Sequence, residues 1–254
     1  MTGLTIALLF PGATVAAGDE ANMTALARRA LSRGLVPRTV VVNLPEQMVD
    51  ADVYLLGGTG RTGTAALVDQ LLRAGLTARL SSGRAVVFAV DAGMDALARS
   101  FTDPGGSARN GLGLLGITTA PVRSITDTVV SGPVPSLGLP AMVGWISSDV
   151  HTVRDAQTPP LTAIEAGAPA THRFDGAITD RVVATRLHGP VLALNPELAD
   201  LVLARAVGDD ALGWAPIPDP APERARDQRI SEVRAARHRT GASRQLSWGT
   251  RTRT

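Results

Sequence analysis

The stretch that most constrains the fold runs from Ala85 to Met94 and reads AVVFAVDAGM. Its first six residues are continuously apolar, as in a strand that a parallel sheet buries on both faces. Asp91, Ala92 and Gly93 follow at once, and a helical pattern comes next. A functional side chain on a sharp strand-to-helix turn, with small neighbours that keep backbone N–H groups accessible, is the arrangement of a nucleophile elbow. The side chain at this position is Asp91.

The segments around this stretch alternate between strand and helix patterns. This alternation predicts an α/β fold, with a mostly parallel sheet and helices on both faces. The predicted strands are Leu4–Phe10, Thr39–Val42, Asp52–Leu56 and residues 85–90, and the predicted helices are Met23–Arg33, Thr64–Leu80 and Met94–Ser100. In an open sheet of this kind, functional groups collect beyond the carboxyl ends of the strands, so we expect the site there.

The second half of the chain has strand patterns without long helices between them, which predicts a more antiparallel layer. The strands are Ile125–Val130, Ala141–Ile146, Leu161–Glu165 and Arg181–Leu187. A helix over residues 195–207, capped by Asn195, follows them. We expect one domain of residues 1–208, a linker of residues 209–222, and a basic C-terminal helix and tail of residues 223–254.

The composition excludes several kinds of site. The 254 residues include no Cys, which rules out thiolate metal ligands and a Cys nucleophile. The four His residues have no ligand-like spacing to one another or to a carboxylate pair, so we expect no metal site. Since no apolar run approaches the ~20 residues of a membrane span and no signal peptide is recognisable, we expect a cytoplasmic protein.

Positive charge is concentrated at the C-terminal end. Residues 221–254 hold nine Arg against three acidic residues, although the net charge of the whole chain is only +2. A basic segment on a mildly acidic body is typical of an interaction segment or a solvated tail. A nucleic-acid interface would interleave aromatic and basic residues, whereas this segment offers only Trp248, so we expect no nucleic-acid partner.

Two further motifs lie at predicted strand ends. The Gly57–Gly60 loop, GGTG, is either a tight turn or a set of backbone N–H groups placed for a phosphate or an oxyanion. It lacks the spacing of dinucleotide-binding and P-loop motifs, so we expect no nucleotide site. His188 lies between a strand end and a Gly-Pro pair, and it is either structural or a general base.

Asp91 has three interpretations. It caps the helix that follows, it acts as a carboxylate nucleophile, or it occupies the place of a lost nucleophile. Taken alone, the residue favours the helix cap.

In order, these segments resemble the class I (triad-type) glutamine amidotransferases, in the branch of cobyric acid synthase and of GatD, the glutaminase subunit of lipid II isoglutaminyl synthase. The resemblance runs from about Leu4 to Gly208. Its most specific part is the block Y-L-H-G-P-V-L-x-x-N-P-x-L-A-D, matched from Arg186 to Asp200 with Arg in the first position. Further matches are Gly18–Asn22 to the G-D-R-G-N loop, Asp52–Gly58 followed by Thr59 to D-x-x-x-x-G-G-G, Gly111–Leu115 to G-L-G-L-L, and Gly144–Ser148, loosely, to G-F-E-N-H. The resemblance implies a flavodoxin-like class I glutamine amidotransferase fold.

The elbow departs from the family pattern V-C-[GA]-G-Y-Q, in which the Cys is the nucleophile. Here Asp91 replaces that Cys, Met94 replaces the Tyr and Asp95 replaces the Gln. The resemblance implies that His188 is the base and that Arg123 lies roughly where the family has an arginine that engages the substrate. The substrate-binding and oxyanion positions implied by the resemblance are Gly58, Thr59 and Ala92.

A carboxylate at this position disfavours the chemistry of the family. It is a poor nucleophile toward an unactivated amide, and its charge repels an oxyanion that develops ~4 Å away in a low-dielectric site. We therefore expect an amidotransferase-like subunit without classical glutaminase activity. By resemblance it forms a heterodimer with a Mur-ligase-like (MurT-like) subunit that holds ATP and Mg, and its own pocket holds a glutamine-like ligand or none, with no cofactor in this chain.

Two alternatives stay open. In the first, Asp91 and His188 act as an acid/base pair on a glutamine-like or amino-acid-derived substrate, with Asp95 as a second carboxylate. In the second, the chain is a non-catalytic binding or regulatory module.

Overall fold

The computed structural model describes residues 2–11, 19–58, 60–168 and 172–248, with the side chains of residues 60–62, 123–125 and 237–248 excepted. The strands are β1 Gly3–Leu9, β2 Val36–Val42, β3 Val53–Leu56, β4 Val86–Val90, β5 Ala98–Thr102, β6 Ala108–Asn110, β7 Leu115–Ser131, β8 Met142–Arg154, β9 Thr162–Ala166, β10 Phe174–Asp175, β11 Ala177–Ile178 and β12 Val182–Thr185. The helices are α1 Asp19–Ser32, α2 Gly60–Arg73, α3 Leu76–Ser82, α4 Ala92–Leu97, α5 Val191–Leu194, α6 Pro196–Val207 and α7 Pro220–Trp248.

The main sheet has the strand order β11-β12-β4-β3-β1-β2. Its pairs are parallel except for β11, which runs antiparallel to β12. Strands β4 and β12 are therefore neighbours, although their paired residues, such as Val87 and Val182, are far apart in the chain. Their carboxyl ends carry Asp91 and the segment that leads to His188. The predicted α/β fold with a mostly parallel sheet is confirmed.

The two faces of this sheet bury separate apolar clusters, because alternate residues of a strand point to opposite faces. On β1, Ile6 and Leu8 pack on one face with Leu26 of α1 and Leu198 of α6. Leu9 packs on the other face, in the cluster that also contains Leu67 and Leu71 of α2 and Leu76 of α3. The sheet is thus covered by helices on both sides.

The second sheet contains β10-β9-β7-β5-β6, with β8 paired to β7. All of its described pairs are antiparallel except β5 with β7. The more antiparallel second half is confirmed, although β7 and β8 are much longer than the predicted strands. Both continue well past the predicted segments because they pair with each other as far as Ile117 and Arg154.

Two predicted helices are wrong in extent. The predicted helix Thr64–Leu80 is two helices, α2 and α3, because Gly75 between them adopts a left-handed backbone with φ +65°. The predicted helix Met94–Ser100 ends at Leu97, because Ala98 begins β5 and pairs with Leu115 of β7.

The segment predicted as a linker is held against the main domain. Arg29 of α1 donates hydrogen bonds to Asp200 of α6 and to the carbonyl oxygen of Ile217, 3.0 Å away. Arg33 likewise donates to Asp200 and to the carbonyl oxygen of Ala215, and its guanidinium lies 5.0 Å from the ring centroid of Trp214. Residues 214–217 are therefore fixed to α1 and α6 by side chains that are almost fully buried.

Helix α7 then packs on the second sheet. Ile230 is buried with Val130 and Val143, and the half-buried Val233 packs against this cluster. Arg226 forms an ion pair with Glu197 of α6. Over the described ranges, no helix has both the length and the apolar character needed to cross a bilayer.

Candidate functional site

The turn after β4 has the strained backbone of an elbow. Asp91 has φ +49° and ψ −112°, and Phe10 is the one other described non-glycine residue with positive φ. The amide of Asp91 donates to the carbonyl oxygen of Thr185 at 2.8 Å, which ties the end of β4 to the end of β12. Such conformations persist only where the surrounding structure holds them, and they concentrate at functional sites.

Gly93 allows this turn to lie directly against the end of β3. A Cβ atom at Gly93 would be 2.9 Å from the carbonyl oxygen of Leu56 and 3.0 Å from that of Gly57. Because both neighbours are backbone atoms of a central strand and the loop after it, neither can move aside cheaply. The contact brings the elbow and the Gly57–Gly58 loop together.

Replacing Gly93 with alanine should therefore lower the free energy of unfolding by about 1–3 kcal/mol, the usual cost of overpacking. Chemical denaturation of the purified variant measures this. Gly3→Ala is the matched control, since a Cβ there has no atom within 4 Å. Equal stability of the two variants would show that the elbow does not need the close approach.

The side chain of Asp91 is turned into the protein and does not cap α4. No side-chain capping hydrogen bond is formed at this helix start, so the cap interpretation is wrong. One carboxylate oxygen lies 3.3 Å from Nη1 of Arg186, and the other lies 3.5 Å from Nε2 of His188. The structure thus brings together the two residues predicted as the catalytic pair.

Arg186 is the site residue that the sequence reasoning missed. Its side chain is 5% exposed, and its Nη2 donates to Asp95 Oδ1 at 2.6 Å. Its Nε donates to the hydroxyl of Thr152 on β8. One buried guanidinium therefore contacts both carboxyl groups of the elbow, those of Asp91 and Asp95. The available signal was the Arg at the first position of the block where the family has Tyr, combined with two acidic substitutions in the elbow.

Asp175 fixes the backbone that presents Arg186 and His188. Its carboxylate accepts hydrogen bonds from the hydroxyl of Thr185 and from the amide of Arg186, the latter at 2.8 Å. The Thr185 hydroxyl also accepts from the amide of Leu187 at 3.0 Å. These bonds stabilise the irregular segment between the end of β12 and His188.

The pKa values of the two elbow carboxyl groups are shifted in opposite directions. Burial opposes ionisation of Asp91, but its contact with His188 and the charge of Arg186 outweigh this and hold the pKa of Asp91 below its ordinary value. Burial is the dominant effect on Asp95 and raises its pKa, against the opposing effect of Arg186. Asp91 is therefore ionised at neutral pH, as the partner of a permanent cation.

The remaining predicted positions are only partly described. Gly58 and Ala92 are both buried beside the elbow, where the resemblance places the oxyanion donors. Thr59 lies outside the described residues. Arg123 belongs to β7, at the irregular stretch between Pro121 and Ile125, and its side chain lies outside the description. Within the described part of the chain, no group of three His or acidic side chains is arranged to hold a metal ion.

Comparison with known proteins identifies the scaffold. No family model matches the chain. Subunit GatD of the glutamine-hydrolysing lipid II isoglutaminyl synthase of Staphylococcus aureus (strain N315) is 24% identical over 203 residues, which are 78% of this chain and 82% of that protein. This similarity over most of the chain supports a GatD-like protein of the class I glutamine amidotransferase type.

A comparison with solved structures tests the fold. A crystal structure of a glutamine amidotransferase superimposes with a TM-score of 0.55 and 16% identity, covering 80% of this chain and 98% of that one. The glutaminase domain of Trypanosoma brucei CTPS with bound acivicin has a TM-score of 0.42 and 12% identity, over 82% of this chain and 95% of that domain. The first of these superpositions confirms the predicted class I amidotransferase fold, and the second adds nothing to that conclusion.

Proposed function

We propose that this chain is the amidotransferase-like subunit of a two-subunit enzyme that forms amide or peptide bonds, and that it lacks Cys-dependent glutaminase activity. The similarity to a synthase subunit supports the two-subunit assignment. The partner is a Mur-ligase-like protein that binds ATP and Mg, and the heterodimer works in the cytoplasm. The chain supplies a scaffold or a pocket for a glutamine-like ligand next to the ligase.

The observation that carries this proposal is the ion pair at the elbow. The group at the nucleophile position is the carboxylate of Asp91. One of its oxygens lies 3.3 Å from the guanidinium of Arg186, and the other lies 3.5 Å from Nε2 of His188. Attack on an amide by this carboxylate would give a tetrahedral intermediate that expels the carboxylate, the better leaving group, more readily than the amine, so that the amide is regenerated and no anhydride forms. Its negative charge also disfavours an oxyanion in the same pocket.

We expect the native protein to release no ammonia from glutamine, either alone or with its co-expressed ligase. The triple variant Asp91→Cys, Asp95→Gln and Arg186→Tyr, which restores the family's Cys and Gln in the elbow and its Tyr at the first position of the closing block, should release ammonia. A coupled glutamate or ammonia assay measures both. The matched control is the same triple variant with Asp91→Ser.

Release of ammonia by the native protein would contradict the proposal directly. If neither the native protein nor the restored variant releases ammonia, the pocket serves another ligand. Failure of the chain to form a stable complex with any Mur-ligase-like protein would contradict the two-subunit assignment separately.

A second candidate function rests on the 3.5 Å contact between Asp91 and His188. This contact is longer than a hydrogen bond, but a small shortening when a substrate binds would bring the carboxylate and the imidazole within reach for acid/base work on an amino-acid-derived substrate. In that case Asp91→Asn, which keeps the shape of the side chain, should abolish turnover of the ligase complex. An unchanged rate in this variant would contradict acid/base catalysis by Asp91, and the scaffold function would then be the proposal that remains.

A further inference from the structure

The start of β8 is fastened to the loop that carries His188. The side chain of Asn195 accepts a hydrogen bond from the amide of Val143 at 3.1 Å and donates to the carbonyl oxygen of the same residue at 2.9 Å. A Cβ atom at Gly144 would lie only 2.6 Å from Cβ of Leu187, so the two backbones approach closely. Asn195 therefore braces β8, and it does not cap α6 as predicted.

At the next residue of β8, Trp145 contacts His188 through both backbone and ring. The amide of His188 donates to the carbonyl oxygen of Trp145 at 2.6 Å, and the amide of Trp145 donates back at 3.3 Å. The two rings meet edge to face, with centroids 5.9 Å apart and planes inclined by 64°. The main sheet and the second sheet are joined here by an isolated bridge.

Trp145 has a surface position that packing alone does not explain. It is 44% exposed, whereas the side chain of His188 beside it is only 12% exposed. A large aromatic side chain left half in water forgoes much of the free energy that burial would supply. The aromatic contact that the structure describes for the Trp145 ring is the one with His188.

We infer that Trp145 is a positioning residue, which fixes the ring of His188 so that Nε2 faces residue 91. The backbone bridge fixes the main chain of His188 but leaves rotation about its side-chain bonds free. The edge-to-face contact limits this rotation, since such ring pairs are favourable by about 0.5–1.5 kcal/mol beyond simple burial. This role is the same whether residue 91 acts as a base partner or as an engineered nucleophile.

The absence of cysteine from the chain provides a specific reporter. In an Asp91→Cys variant the introduced thiol is the single one present, and its alkylation by iodoacetamide as a function of pH measures how well His188 stabilises the thiolate. Adding Trp145→Ala should raise the midpoint of this pH profile and slow alkylation at pH 6.5 about tenfold. Adding His188→Gln gives the profile without the imidazole, and Trp145→Phe, which keeps an aromatic edge, should restore the parent profile.

A Trp145→Ala profile equal to that of the Asp91→Cys parent would overturn the inference. Slower alkylation in both the Ala and the Phe variants would also overturn it, because it would mean that bulk and not ring contact matters. Thermal unfolding of each variant excludes global loss of structure, and Trp145→Leu replaces the alanine variant if that one is unfolded. The test needs neither glutamine nor a partner, so its outcome is distinct from that of the ammonia experiment.

Discussion

Replacing Arg186 with methionine should lower the free energy of unfolding by about 3–5 kcal/mol, the usual cost of removing one partner of a buried ion pair. The variant would leave the carboxylates of Asp91 and Asp95 without their shared cation in a site where Arg186 is 5% exposed. Equilibrium denaturation at neutral pH measures the loss.

A second variant separates lost charge compensation from lost packing. Combining Arg186→Met with Asp95→Leu removes the more deeply buried carboxylate, and the double variant should recover a large part of the stability, since an apolar pair often replaces a buried ion pair at little cost. If the double variant is as unstable as the single one, the guanidinium acts mainly through packing and its bond to Thr152.

Replacing Asp200 with asparagine should cost a similar amount, about 3–5 kcal/mol, because Asp200 is the shared anion of two buried arginines. Arg29 and Arg33 both donate to it through two nitrogens, and their side chains are 7% and 9% exposed. The matched control is Glu232→Gln, which removes an exposed ion pair to Arg229 and should change stability by less than about 0.5 kcal/mol.

The same residue predicts part of the acid sensitivity. Burial opposes ionisation of Asp200, but the hydrogen bonds and charges of Arg29 and Arg33 outweigh it and lower its pKa. A lowered pKa stabilises the folded state above the unfolded-state value of about 3.9, and this contribution is lost as the pH falls through the folded-state pKa. Below pH 4 the stability of Asp200→Asn should thus depend less on pH than that of the native protein. If the stability of the two proteins depends on pH in the same way, the acid sensitivity arises from other groups.

The main sheet was predictable because its strands carry a signal in their own residues. Residues 85–90 are continuously apolar, and the structure buries every residue of β4. The alternation of such runs with helical patterns is sufficient to indicate the fold. The limits of α2 and of α4 were not predictable in the same way, since they depend on the backbone of Gly75 and on the pairing of Ala98 with Leu115.

The site was predictable only at its two named side chains. Asp91 and His188 stand at strand ends and match positions of a family pattern, so sequence places them at one edge of the sheet. Arg186 precedes His188 by two residues, and the residues around it in the sequence do not indicate that its guanidinium points inward to Asp95. That contact depends on β12 lying beside β4, which is a property of strand order and not of either segment.

The bonds from Arg29 and Arg33 to residues 215 and 217 bear on where this protein can be cut. A fragment that ends at residue 208 would retain the full parallel sheet. It would lack the two carbonyl acceptors and the Trp214 ring, so the guanidinium groups of Arg29 and Arg33, which are now shielded from water, would lose these partners. It would also remove Ile230, which covers Val130 and Val143. The shortest piece that keeps these contacts ends within α7, so a shortened form for crystallisation or fusion to a ligase should retain the chain through at least Val233.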